Sequence, residues 1–165
     1  MSEWPDLSGR IEGRTHKLPV RVYYEDTDFS GIVYHANYLR FAERGRSDFL
    51  RLAGVHHTDL FGTDDPVAFA IHRMEMDFIQ PARIDDRLEV HTVYVRASGA
   101  RIEAELSIQR LDREGKPTDE LWRAKVFAAV IDGQGRPRRL PAAVREALAP
   151  YVTGPATPDS PGAVL

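Results

Sequence analysis

Hydrophobic and polar positions change period along this chain, and each change marks an element. Residues 16–25 alternate, with Val20, Val22 and Tyr24 set against Arg21 and Tyr23. That is the period of a strand, and it predicts that Tyr24 faces inward. Asp26-Thr27-Asp28-Phe29-Ser30-Gly31 then has turn-forming composition, with Gly31 able to adopt a backbone conformation most residues resist. From about residue 36 to residue 53 the period becomes helical. Tyr38, Phe41, Ala42, Gly45, Phe49, Leu52 and Ala53 form one stripe, and Gly54 stops it. A glycine inside a helix costs about 1 kcal/mol against alanine, so Gly45 on that stripe predicts close approach by sheet backbone. Arg40, Glu43, Arg44, Ser47 and Arg51 make the wetter side, a solvated face with local ion pairs.

Alternation returns after a connection containing His56, His57 and a Gly-Thr-Asp-Asp-Pro turn. Residues 67–79 carry Ala70, His72, Met74, Met76 and Phe78 on one face, and Pro81 follows. Residues 88–97 form the next strand, and Ser98-Gly99 turns the chain into residues 101–111. There Ile102, Ala104, Leu106 and Ile108 oppose Arg101, Glu103, Glu105, Ser107 and Gln109, a strand with one wet face. Residues 121–132 make the last strand, and the apolar run at 126–131 predicts burial on both faces. Pro141 opens a short helix that Pro150 ends. One strand, one long helix and four strands on hairpin links give an α+β fold, an antiparallel sheet of about five strands packed on a single helix. One helix covers only part of such a sheet, so the edges and Trp122 are expected to need a second subunit.

Composition narrows the chemistry. The chain has 165 residues, the size of one domain, and a formal net charge of -3, which does not suit a nucleic-acid partner. It has no cysteine, so disulfides and thiolate chemistry are excluded. No apolar run approaches membrane-spanning length and the N-terminus lacks a secretory pattern, so a cytoplasmic location is expected. Residues 1–15 read as a flexible polar leader, 16–152 as the domain, and 153–165 as a disordered Pro/Gly-rich tail.

Glu25, Asp26 and Asp28 cluster in the first turn. Taken singly, acidic residues are common in turns and ahead of helices. Three features together point further: Asp28 stands beside Gly31 at the mouth of the helix, Tyr24 lies four residues before it, and His35 seven after. Such a cluster sets a carboxylate next to backbone N–H groups that bind developing negative charge. Elsewhere, Asn37 reads as the helix cap in preference to a site-orienting amide, and Glu43 with Arg46 as a structural ion pair in preference to a pair near the dimer interface or the pocket floor. His72 reads as a core or pocket-lining histidine, His56-His57 as a loop, and His16 and His91 have no companions at ligand spacing, so no metal is expected.

The stretch VYYEDTDFSGIVYHANYLRFAERGRSDFL closely resembles the signature of the hotdog-fold acyl-CoA thioesterases, in the YbgC-like branch related to 4-hydroxybenzoyl-CoA thioesterase. The match is dense over residues 20–52 and continues more weakly to about residue 140, through FIQPARIDDRLEV. The resemblance implies a hotdog fold, an antiparallel sheet wrapped around the long helix, assembled as a homodimer or homotetramer. It implies hydrolysis of an acyl-CoA thioester with no cofactor. By position it makes Asp28 the catalytic carboxylate, Tyr24 and His35 its assisting neighbours, and the backbone N–H near His35 the group that polarises the carbonyl. Gly31, Val33, Tyr34, Asn37 and His72 are expected to contact substrate, and Arg83, Arg87, Arg96 and Arg101 are candidates for the phosphates of coenzyme A. A link to the Tol–Pal system or phospholipid metabolism comes with the branch. The rival reading is a scaffold that binds acyl carrier protein or a lipid-synthesis enzyme and hydrolyses little; a dehydratase on the same fold is weaker.

Overall fold

In the computed structural model, which describes residues 7–154, the alternating stretches pair into a six-stranded antiparallel sheet of order β1-β2-β4-β5-β6-β3. The strands are β1 (Arg10–Glu12), β2 (Thr15–Arg21), β3 (Ala68–Phe78), β4 (Arg87–Ser98), β5 (Arg101–Leu111) and β6 (Pro117–Ile131). The extra strand is β1, inside the stretch read as leader; three residues are too few for an alternation to register. It pairs with β2 across a turn containing Gly13 at φ 63°. The outermost residues read as leader and tail lie outside the described residues.

Helix α1 (His35–Leu52) lies on the inner face, over β1, β2, β4 and β5. Its buried stripe of Tyr38, Phe41, Ala42, Gly45 and Phe49 meets Leu88, Val90, Thr92 and Tyr94 of β4 and Ile102, Ala104, Leu106 and Ile108 of β5, all buried. Leu52, expected on that stripe, is exposed in the last helical turn. A short helix α2 (His57–Phe61) occupies the connection read as a loop, and α3 (Ala142–Leu148) follows Pro141. Among the described residues no helix is long and apolar enough to cross a membrane.

Three packing expectations change. Trp122 is fully buried within its own chain, stacked 6.3 Å from Tyr38 at 14°. The run at 126–131 alternates: Val126, Ala128 and Val130 are buried, while Phe127, Ala129 and Ile131 are partly exposed, with the Arg73 guanidinium 5.4 Å from the Phe127 ring. At Gly45 the close neighbours are side chains, because an added Cβ would lie 2.9 Å from both Val90 Cγ1 and Thr92 Oγ1.

A buried polar pair ties the first hairpin to the helix. His16 Nε2 lies 2.7 Å from Asp48 Oδ2, which also accepts the Gly9 N–H at 2.7 Å; Arg51 donates to Oδ1 at 2.6 Å. Burial pushes the His16 pKa below 6.5, outweighing the pull of Asp48, so the ring is neutral. Burial also raises the Asp48 pKa, but the bonds from Arg51, Gly9 and His16 outweigh it and leave the carboxyl below 3.8.

The folded His16 pKa lies below the unfolded one, so the unfolded chain takes up the proton first. Stability is therefore greatest above pH 6.5 and falls on acidification through it. Urea titrations between pH 7.5 and 5 should show that fall, and His16→Gln should flatten it. Gly45→Ala gains about 1 kcal/mol of helix propensity but overpacks stiff β-branched neighbours at a cost of about 1–3 kcal/mol. Because the neighbours sit on a central strand, net destabilisation is expected; a rise in the urea midpoint would show that they yield.

Candidate active site

The chain leaves β2 at Arg21 and turns at once. Val22, buried, exchanges backbone hydrogen bonds with Asp85 and Asp86, and residues Tyr24–Asp26 then form a single 3-10 turn. That turn breaks the alternation on which the inward placement of Tyr24 rested. Tyr24 is 82% exposed and the residue facing inward is Asp26, at 7%.

Asp26 is the anchor of the site. Its Oδ2 accepts the Tyr23 N–H and its Oδ1 the Asn37 side-chain N–H, each at 2.8 Å, while its backbone carbonyl accepts the Tyr34 N–H at 2.8 Å. Asn37 is therefore not the helix cap. Tyr34 stands at that position without a side-chain bond, and Asn37 reaches back from the first helical turn to hold the acidic turn.

Between these anchors the chain makes a miniature hairpin. Thr27 bridges Val33, the Asp28 N–H donates to the Ile32 carbonyl at 2.9 Å, and the Gly31 N–H donates to the Asp28 carbonyl at 3.0 Å. Gly31 takes φ 79°, as the left-handed residue of a three-residue hairpin loop requires. Phe29 is fully exposed at the tip. Asp28 is exposed on the shoulder, and its Oδ1 accepts both the hydroxyl and the backbone N–H of Ser30. Those bonds hold its carboxyl below the ordinary 3.8, with further help from the Ile32 N–H and the nearby His35. Ser30 was not singled out from sequence; its signal is the Asp-x-Ser spacing, at which a carboxylate accepts from the residue two ahead.

The far side of the helix start is held too. The Val33 N–H donates to the Ala82 carbonyl at 2.8 Å, the Ala82 N–H to the Tyr38 hydroxyl at 2.9 Å, and Ile32 bridges Arg83. The N–H groups of His35 and Ala36 make no backbone hydrogen bond among the described residues. They are the donors an α-helix leaves unpaired at its N-terminus, where the helix dipole favours negative charge. The Tyr34 and His35 rings lie 4.4 Å apart beside them.

Asp28, Gly31, Val33, Tyr34, His35 and Asn37 thus share one neighbourhood, with Tyr24 on its outer side. His72 does not join them. It is the extra residue of a β-bulge between Ile71 and Arg73, and it is exposed, six residues along β3 from Phe78, whose ring meets Tyr38 at 5.7 Å. The inserted residue breaks the alternation that placed it on the apolar face. Of the arginines, Arg87 donates to the Asp112 carbonyl and Arg96 pairs with Glu103, whereas Arg83 stands next to the hairpin. Among the described residues no three His, Asp or Glu side chains group so as to hold a metal ion.

Residues 22–148 match the sequence profile of the Thioesterase-like superfamily. The chain belongs to that superfamily. It is 40% identical over 132 residues to the acyl-CoA thioesterase YbgC of Haemophilus influenzae, covering 79% of this chain and 92% of that protein. It is 45% identical to a probable thioesterase from Bartonella henselae of known crystal structure, with a TM-score of 0.69 over 77% of this chain and 99% of that one. A 4-hydroxybenzoyl CoA thioesterase crystallised with 4-hydroxybenzoyl CoA aligns at 19% identity, with a TM-score of 0.72 over 81% and 98% of the two chains, a likeness of fold. The chain is thus a hotdog-fold, YbgC-like thioester hydrolase, and the sheet has six strands where about five were expected.

Asn37→Ala leaves Asp26 Oδ1 buried without that donor, a loss of roughly 1–3 kcal/mol in urea unfolding. Hydrogen exchange at the Tyr23 and Tyr34 amides should quicken in the same variant; unchanged protection would show that Asn37 does not hold the turn.

Proposed function

We propose that this chain hydrolyses acyl-CoA thioesters at the hairpin carrying Asp28. The observation that supports it is an ionised, solvent-facing carboxylate near a helix N-terminus whose His35 and Ala36 N–H groups have no backbone acceptor among the described residues. The thioester carbonyl oxygen accepts from those N–H groups, which stabilise the negative charge that develops on it. Asp28 takes a proton from water as the water oxygen attacks the carbonyl carbon. The tetrahedral intermediate then collapses, the carbon–sulfur bond breaks, and the departing sulfur recovers a proton from Asp28 or solvent. A thiol of pKa about 8.5 leaves readily, so no dedicated acid is needed. Direct attack by Asp28 through an anhydride uses the same placement. His35 orients the carboxylate, and Arg83 is the cation best placed for a coenzyme A phosphate.

The same reading includes a second subunit. Among the described residues the outer edge of β3 is unpaired, and Tyr23, Tyr24, Phe29, Phe78, Ile79 and Ile84 leave exposed apolar surface around the hairpin. A homodimer covering that surface turns Tyr24 toward a shared site, and a homotetramer is two such pairs.

Thiol release from short, long and aromatic acyl-CoAs tests the activity. Asp28→Asn should lower turnover roughly 100-fold or more with an unchanged melting temperature, since the amide oxygen still accepts from Ser30. Equal turnover in wild type and variant would remove Asp28 from the mechanism. The catalytic form is the carboxylate and its pKa is depressed, so activity is present above the depressed value and lost only as pH falls through it. kcat/KM should therefore stay level from pH 7 to 5; a limb within that range would remove Asp28 as the essential base.

A further inference from the structure

A cavity of about 200 Å³ lies between the flank of α1 and the part of the sheet the helix leaves uncovered. Its floor is Ile102, Ala104, Val126 and Ala128, and β3 adds Phe69 and Ile71 as a wall. Glu43, Arg46, Ser47 and His57 supply the polar lining.

Arg46 is the unusual member. Its Nη1 is buried and has no hydrogen-bond partner among the described residues. Glu43, the expected ion-pair partner, accepts instead from the Ser47 hydroxyl at 2.6 Å, and Ser47 Oγ stands 3.4 Å from His57 Nε2. The backbone carbonyl of Arg46 accepts from the Tyr94 hydroxyl at 3.2 Å, an engagement of the main chain that does not involve Nη1. Buried polar groups are nearly always satisfied, and a guanidinium stays charged wherever it is placed. An apolar chamber with one such donor suits a ligand that is apolar along its length and carries an oxygen acceptor at its end.

The chamber and the Asp28 hairpin lie along one helix. From His35 to Arg46 the helix rises about 16 Å. Strand β3 follows the same flank, with Phe78 against Tyr38 near the helix start, Phe69 and Ile71 at the chamber, and Met74 and Met76 between them. An acyl chain whose carbonyl sits at the helix N-terminus must follow that flank for about 16 Å to reach the guanidinium.

We propose that this cavity receives the far end of the acyl group and that Arg46 is a specificity-determining residue, selecting long acyl chains that end in an oxygen acceptor, either a carboxylate or a hydroxyl. The proposal rests on the hydrolase reading of Asp28.

The test is a series of straight-chain acyl-CoAs of graded length, each unsubstituted, ω-hydroxylated or ω-carboxylated, assayed by thiol release with wild type, Arg46→Met and Arg46→Lys. At lengths that reach the chamber, wild type should prefer an oxygen-terminated chain roughly tenfold or more in kcat/KM. A preference confined to the carboxylate identifies charge recognition, and an equal preference for both identifies hydrogen bonding. Arg46→Met should abolish the preference and keep activity on unsubstituted chains, because it removes the Nη1 donor and leaves the apolar lining in place. Arg46→Lys should retain part of the preference.

No preference in wild type overturns the proposal, as does an equal loss on all chains in Arg46→Met. A lowered melting temperature with loss of the dimer assigns the guanidinium to a second copy of the chain. Calorimetric binding of non-hydrolysable thioether analogues with the same chain ends reads Arg46 separately. If no substrate releases thiol but the analogues keep the Arg46-dependent preference, the hydrolase reading fails and the subsite stands.

Discussion

The bond between Asp26 and Asn37 joins the 3-10 turn that follows β2 to the first turn of the long helix, and the geometry of the site depends on it. Through its carbonyl, Asp26 also fixes Tyr34, so the residue before the helix and the residue inside it are both referred to one point. The hairpin from Thr27 to Val33 has too few residues to hold a shape against solvent by itself. Closed at its base by Asp26 and at its side by Ala82, it holds Asp28 on an exposed shoulder, where the carboxylate accepts from Ser30.

Three aspartates show how environment divides labour among identical side chains. Asp26 is buried and spends both oxygens on the fold. Asp48 is buried against a neutral histidine and an arginine, and fastens the first hairpin to the helix. Asp28 alone of the three faces solvent, with Ser30 holding it ionised. Spacing within the acidic turn cannot separate the first of these from the third; what separates them is the change from extended to 3-10 backbone at Tyr24.

That change also marks where reading by period succeeds. The stripe from Tyr38 to Phe49 and the two faces of β5 were legible, because a single backbone conformation persists for several turns or residue pairs. Tyr24 and His72 were misplaced for one reason: a 3-10 turn and a bulge each insert an irregularity that leaves composition untouched and exchanges the faces. Trp122 and the Glu43–Arg46 pair failed differently. Whether a tryptophan is covered depends on a residue distant in sequence, here Tyr38, and whether an arginine finds its carboxylate depends on competing donors, here the Ser47 hydroxyl. The carboxylate, the glycine turn and the helix mouth were legible as a group, and their supporting bonds were not.

The bulge in β3 also bears on how copies of the chain can meet. A uniform edge offers the same hydrogen-bonding repeat at every second residue, so an incoming strand can slip by two and begin an open-ended stack. The extra residue at His72 gives this edge a single interruption, a mark that an approaching copy of the same strand must also accommodate. A copy that paired here by twofold symmetry would have to fit both bulges, which narrows the alignments open to it. The irregularity that defeats the alternation also makes this edge a poorer template for open-ended stacking.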